Sequence, residues 1–298
     1  MEYRRSVIAQ NESIAASAVT TYDLPVNPLS HLNFTMRFLN VLDEATLAEI
    51  LSRLTKIEVT RFGAAITSIS GADLHKLNAV LLKKLPILSN QIATDNAARS
   101  ISLVIPFGRT LYNPAECLPA TTKGELKLQI TLDGTETALD NIKYQIEAVE
   151  LLGANPKAHL KVTTVTQTMA SGVDNDTDLP IGNKLAGILL FSTTIPATTA
   201  YTTTIDRFKF LINNVEKMIQ STNWESLHGD LINRLGHNEV YDASADNDDV
   251  ANYALVDFSP TGDDTFLVDT KGASRVVTKI TAGDANAVRI MPLEIVSA

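Results

Sequence analysis

The chain has 298 residues, 45% of them hydrophobic and 20% charged, with a formal net charge of −9. That is enough apolar material for a sizeable core and excludes a disordered, solvating chain, while the acidic balance argues against wrapping nucleic acid, which needs a surplus of Lys and Arg. The single cysteine, Cys117, excludes an internal disulfide and a cysteine-built zinc site, and reads as a small apolar core residue.

The first 20 residues carry Arg4 and Arg5 but no sustained apolar run, so they read as an extended or partly helical arm rather than a signal peptide. Arg4 and Arg5 are its candidate contacts with a neighbouring subunit or with acidic lipid. Alternating or β-branched runs follow at 31–41, 55–62, 64–70, 100–107, 124–132 and 142–152 and predict strands. A second series predicts strands at 159–169, 185–194, 202–212, 252–258, 274–282 and 287–296. Helices are few. Residues 43–54 place Leu47, Ile50, Leu51 and Leu54 on one face behind a candidate N-cap, Asp43. Residues 71–85 do the same with Leu74, Leu77, Leu81 and Leu85, before Pro86. Two further helical windows are 212–221 and 224–235, the latter opening on the only tryptophan, Trp224, which is expected to pack in a core or against a helix, with an interface anchor as the alternative.

Several short signposts occur twice, in one order and at nearly constant spacing. Asp23-Leu24-Pro25 returns as Asp178-Leu179-Pro180, and Gly71 before Asp73-Leu74 returns as Gly229 before Asp230-Leu231. Strands ending at Phe107 and Phe258 follow, then Thr122-Lys123-Gly124 and Thr270-Lys271-Gly272, then strands ending in Ile130-Thr131 and Ile280-Thr281. Each half closes on a strand with a late glutamate, IEAVELL and IMPLEIV. The expectation is one β-domain plan written twice. Each half has room for about eight strands in two facing antiparallel sheets, which is the content of a jelly roll. The fold class expected is mainly β, two tandem eight-stranded jelly rolls with short helical insertions: an arm over 1–20, a first roll over 21–155 and a second over 156–298.

Catalytic signatures are missing. There is no P-loop, GxGxxG, GxSxG or HExxH, and the histidines His31, His75, His159, His228 and His237 form no HxH pair. No catalytic residue is assigned and no enzyme is expected. Two acidic stretches are weighed as calcium sites: Asp174, Asp176 and Asp178 at alternate positions, and Asp246, Asp248 and Asp249. The first lacks the glycine and glutamate of an EF-hand, so both are read as solvated loops, with a structural Ca²⁺ held by Asp174, Asp176 and Asp178 as the alternative.

The segments YDLP (22–25), KIEV (56–59), SGADLHKLN (70–78), LVIPFGR (103–109), LPA (118–120) and GELKLQITLD (124–133) resemble the N-terminal domain of double jelly-roll major capsid proteins from tailless, membrane-containing bacteriophages of the corticovirus type. NWESLHGDLINRLG and the run DFS…LVDTKG…VVTKIT resemble the C-terminal domain of that group. The resemblance implies a homotrimer presenting six similar domains as a pseudo-hexagonal tile of an icosahedral shell. Neighbouring trimers, vertex or minor capsid proteins and an internal lipid membrane would be its partners, with no direct contact to nucleic acid. It implies location in the virion, after assembly in the host cytoplasm, and no catalytic residues. The alternative is a viral spike or receptor-binding protein on tandem β-sandwiches, against which the scarcity of aromatics (6%) counts.

Overall fold

The computed structural model describes residues 2–13, 18–86, 88–89, 94–133, 137–196, 201–235 and 250–298. His237 and the Asp246, Asp248, Asp249 cluster lie outside these residues. The chain divides into two compact units, Met1–Val162 with Ser297–Ala298, and Thr163–Val296. The division follows Val162 rather than residue 155.

Unit 1 contains β1 (Glu2–Ser13), β2 (Ala18–Asp23), β3 (Leu29–Asn40), α1 (Leu47–Ser52), β4 (Leu54–Arg61), β5 (Ala64–Ile69), α2 (Gly71–Leu82), β6 (Leu88–Ser89), β7 (Ala98–Pro106), β8 (Leu126–Leu132), β9 (Leu139–Leu152) and β10 (Ala158–Thr163). One sheet runs β1-β9-β3-β7-β6, and the other brings β2, β8, β4 and β5 side by side. On β3, Leu32, Phe34, Met36 and Phe38 are buried at every second position, as a strand with one face on a core requires. From β8, Leu126, Leu128, Ile130 and Leu132 fill the core in the same alternation.

Unit 2 contains β11 (Val165–Thr168), β12 (Asp174–Asp178), β13 (Lys184–Ser192), β14 (Arg207–Ile212), β15 (Val215–Glu216), β16 (Thr222–Asn223), α3 (Trp224–Leu235), β17 (Tyr253–Asp257), β18 (Val268–Asp269), β19 (Val276–Thr281) and β20 (Ala287–Ser297). One sheet contains β17-β13-β20, with β11 added on β20 and β18 on β13; the other runs β12-β19-β14-β15. Its core gathers Leu185, Ile188, Leu190, Phe208, Phe210, Trp224, Phe258 and Ile280.

The two units share one plan. Counting eight main strands in chain order (β1, β2, β3, β4, β5, β7, β8, β9 and then β11, β12, β13, β14, β15, β17, β19, β20), each unit has one sheet ordered 1-8-3-6 and one ordered 2-7-4-5. That order is the jelly roll expected from the signposts, written twice. Most signposts sit at equivalent places, but the Gly-Asp-Leu pair does not: Gly71 opens α2, whereas Gly229 lies in the middle of α3. Leu24 N donates to Leu126 O, and Leu179 N to Val276 O, each at 3.0 and 2.9 Å onto the first residue of the seventh main strand. In both Thr-Lys-Gly turns the residue after glycine bonds back to the threonine carbonyl, Glu125 N to Thr122 O and Ala273 N to Thr270 O. Gly124 and Gly272 take φ of 82° and 81°, which a side chain would strain, so this turn requires glycine.

Four expectations need correction. Residues 2–13 are not an arm but the first main strand of unit 1, paired along β9 from Glu2↔Leu152 to Ser13↔Lys143. Residues 212–221 are not helical: Asn213 and Asn214, at φ 51° and 64°, turn a two-residue hairpin between β14 and β15. The helix-like spacing of Ile212, Val215 and Ile219 there is incidental. Asp43 does not cap α1; Thr46 does, accepting from Glu49 N while the Glu49 carboxylate accepts from Thr46 N, a capping box. Asp174, Asp176 and Asp178 belong to a strand, β12, rather than a loop. On α2 the helix ends at Lys83 in the left-handed region, ahead of Pro86.

Candidate functional site

The late glutamate of each half proves to be a buried structural node. Glu150 on β9 is fully buried and lies directly across from Arg4 on β1. Arg4 donates from Nε (3.0 Å) and Nη2 (2.8 Å), Asn27 donates from Nδ2 (2.5 Å), and the Ser6 hydroxyl donates as well. Burial alone would raise the Glu150 pKa, but the hydrogen bonds from Arg4, Ser6 and Asn27 outweigh it and hold it below the usual carboxylate range. The equivalent in unit 2 is Glu294 on β20, also fully buried, which accepts from Asn183 Nδ2 at 2.7 Å. In each unit, therefore, an asparagine just after the Asp-Leu-Pro turn fastens the turn to the eighth main strand. Only unit 1 adds the arginine of its first strand.

Arg5 pairs with Glu147 at 2.7 Å, one strand over. At the far end of β1, the Tyr22 hydroxyl donates to Glu12 (2.6 Å) and meets the Tyr144 hydroxyl (2.5 Å), joining β1, β2 and β9. Arg4 and Arg5, expected as outward contacts, both make internal ion pairs while their side chains stay about half exposed. Their long stems and exposed edge still leave Tyr3 and Val7 largely exposed on β1.

The opposite edge of the same sheet is closed. Asn78 of α2 donates to Val104 O (2.6 Å) and accepts from Val104 N (2.7 Å), standing in for a strand along part of β7, and Leu88 and Ser89 of β6 pair with β7 beyond it. α2 is buried on nearly every side, Asp73, His75, Lys76 and Asn78 included. Arg109 and Glu116, in the segment after β7, form a mostly buried bidentate pair, with Nη2 2.6 Å from Oε2.

The acidic stretch makes ion pairs. Arg275 bonds Asp178 at 2.5 Å and reaches Asp176 at 3.5 Å, Lys279 meets Asp176 at 3.1 Å, and Asp174 accepts from Thr281 Oγ1 at 2.7 Å. Lys279 on β19 and Arg275 just before it thus offset Asp176 and Asp178, while Asp174 is bonded by a hydroxyl. Among the described residues no group of three or more His, Cys, Asp or Glu side chains converges as metal ligands would.

The described histidines are apart and structural. His31, pushed down to about 4 by burial and then by Arg5, bonds Ser30 through Nδ1 at 2.9 Å and meets the Tyr112 ring edge-on. His75 falls to about 3 by burial and the neighbouring Lys76 charge, and His159 to about 4 by burial, Arg61 and Lys161. His228 bonds Tyr253 O at 2.7 Å and stacks on Trp224, which is buried in the core of unit 2 as expected. Cys117 is buried, and burial pushes its thiol up to about 11, so it stays a protonated core residue at neutral pH.

The late glutamates stand out in the sequence without their partners. The signal that would have supplied them is the asparagine following each Asp-Leu-Pro, in DLPVN and DLPIGN.

Two tandem eight-stranded jelly rolls with helices inserted between the fifth and sixth main strands define a double jelly roll. The comparisons agree with this class. No protein-family model matches the sequence, and no curated protein matches it. Among solved structures, the crystal structure of the STIV MCP superposes with a TM-score of 0.75 at 14% identity, covering 99% of this chain and 97% of that one. The major capsid protein P2 from bacteriophage PM2 gives 0.70 at 14% identity, covering 100% and 98%. The PBCV-1 virus capsid gives 0.65 at 10% identity, covering 99% and 93%. The chain therefore has the double jelly-roll fold of major capsid proteins along its whole length.

Proposed function

We propose that this chain is a major capsid protein, a viral coat subunit whose work is to tile. The observation that supports it is the repeated 1-8-3-6 and 2-7-4-5 strand order, which spends the described residues on two sandwiches and their inserted helices. A tile needs rigid bodies with large edges, and identical subunits under closed symmetry repeat each modest contact many times. Three copies supply six similar rolls, enough for a pseudo-hexagonal homotrimer. Such trimers join neighbouring trimers, meet vertex or minor capsid proteins, and enclose an internal membrane in an icosahedral virion assembled in the host cytoplasm. The net charge of −9 suits a coat that does not grip its own genome. Within this reading Glu150, Arg4 and Asn27 keep the edge strand of unit 1 in register, so that every copy offers neighbours the same β1 surface.

Light scattering on the purified chain tests the proposal. A stable species of three times the 32.3 kDa chain, or shell-like particles, is expected. A monomer at every concentration that also binds a glycan or a host receptor would favour the spike reading.

A further inference from the structure

One turn breaks the chemistry its own geometry asks for. The hairpins β4–β5 and β14–β15 are equivalent in the two units, and each turns through two residues in the left-handed region. Unit 2 places there Asn213 (φ 51°) and Asn214 (φ 64°), residues that tolerate this region. Unit 1 uses Phe62 (φ 50°) and Gly63 (φ 79°). The backbone bond is the same: Phe62 N donates to Glu125 O (3.1 Å) as Asn213 N donates to Arg275 O (2.9 Å). The side chains differ in what they do. Asn213 Oδ1 accepts from Ser274 N, Ser274 Oγ and Arg275 N, so it braces the adjacent turn. Phe62 points outward, 78% exposed, with the Arg61 guanidinium 5.8 Å from its ring centroid. A bulky aromatic held at positive φ and left in water stabilises nothing inside unit 1.

Its surroundings name a partner. Three turns are knitted together at this end of unit 1: Phe62 bonds Glu125, Thr122 bonds the Glu125 carboxylate (2.8 Å), and Thr121 bonds Val26 O (2.8 Å). The same turns carry Val26, which is 42% exposed, and exposed Lys123. Arg61 is paired with Glu125 at 2.5 Å and Lys127 lies across from Asp23, which leaves Lys123 as the exposed excess cation here, in a chain that is acidic as a whole. An exposed aromatic, a small aliphatic and an exposed lysine carried by the same turns match the boundary of an anionic bilayer, where aromatic rings sit among headgroups and lysines face phosphates. We infer that the Phe62 hairpin of unit 1 is a lipid-contact tip that seats its ring in the interface of an anionic membrane. The inference rests on the coat reading for the source of that membrane. One ring and one lysine bind weakly in a single copy, and repetition over a shell multiplies the contact.

The test is co-sedimentation with vesicles of equal parts phosphatidylcholine and phosphatidylglycerol, with the solution mass measured on the same samples. The decisive variant is Phe62→Asn, because unit 2 shows that asparagine suits this turn, so folding is retained. Wild type is expected to bind, less so as salt rises. Phe62→Asn is expected to bind about tenfold more weakly, with unchanged mass and an equal or higher melting temperature. Lys123→Glu is expected to weaken binding at low salt only. Wild type that ignores these vesicles, or Phe62→Asn that binds them as wild type does, overturns the inference. So does Phe62→Asn that loses self-association, since the tip would then dock on a second copy. A wild type that trimerises but ignores vesicles overturns this inference and leaves the coat reading standing. A vesicle-binding monomer does the reverse.

Discussion

Replacing Glu150 by Gln is the sharpest probe of how the first strand is held. The carboxylate is fully buried and accepts from Arg4, Ser6 and Asn27. Removing one partner of a buried, hydrogen-bonded ion pair costs about 3–5 kcal/mol. The Arg4 side chain is 56% exposed, so solvent screens much of its share, and the expected loss falls to about 2–3 kcal/mol. For a unit of this size that lowers the melting transition of unit 1 by roughly 5–10 °C. The loss should be local. Hydrogen exchange should show β1 amides losing protection while β13 and β20 in unit 2 keep theirs. The pH dependence has a definite sign. Because the folded-state pKa of Glu150 is lowered, its contribution is complete above the ordinary value of 4.5 and is lost as pH falls below that toward the folded value. Glu150→Gln should therefore flatten the acid limb of the wild-type stability curve. Unchanged β1 protection in the variant, or an acid limb identical to wild type, would refute the reasoning.

The three buried histidines with lowered pKa, His31, His75 and His159, each take up a proton on unfolding between their ordinary 6.5 and their folded values of about 4, 3 and 4. Stability should decline as pH drops below 6.5, by about 1.4 kcal/mol per pH unit for each histidine in that window; a denaturant titration from pH 7 to pH 5 reads the slope, and His75→Gln should reduce it. Asn213→Ala should destabilise unit 2 by about 1–2 kcal/mol, through strain at positive φ and three lost hydrogen bonds, with Asn213→Gly recovering the part due to strain. Thr46→Ala removes the α1 cap and should cost about 1 kcal/mol in a thermal melt, with Thr46→Ser restoring most of it.

Much of the architecture was readable in the sequence because each half is governed by period-two burial. Phe34, Met36 and Phe38 on β3, or Leu128 and Ile130 on β8, announce their strands by alternation alone. The duplication was readable because it resides in turns, where backbone geometry dictates residue type: Gly124 and Gly272 at positive φ, and Leu24 and Leu179 bonded to the same strand position. What stayed hidden follows from the same physics. β1 has mostly exposed side chains and takes its place from backbone pairing to β9, and backbone pairing leaves no hydrophobic pattern. β12, DNDTD, has the composition of a loop and is a strand because Arg275 and Lys279 compensate its charge. The window 212–221 misled because apolar spacing outvoted the Asn213-Asn214 turn signal. For the site, Arg4 and the late glutamates drew notice separately, but their meeting across β1 and β9 is a long-range register that no local pattern encodes.

Electron microscopy of particles assembled from the purified chain, or of the virions that carry it, bears most directly on the claim that this protein is a tile. The account predicts threefold capsomers with six similar lobes, each lobe fitted by one of the two units, repeated over a closed shell. Particles built on some other repeat, with this chain found singly at vertices or as a projecting spike, would contradict it.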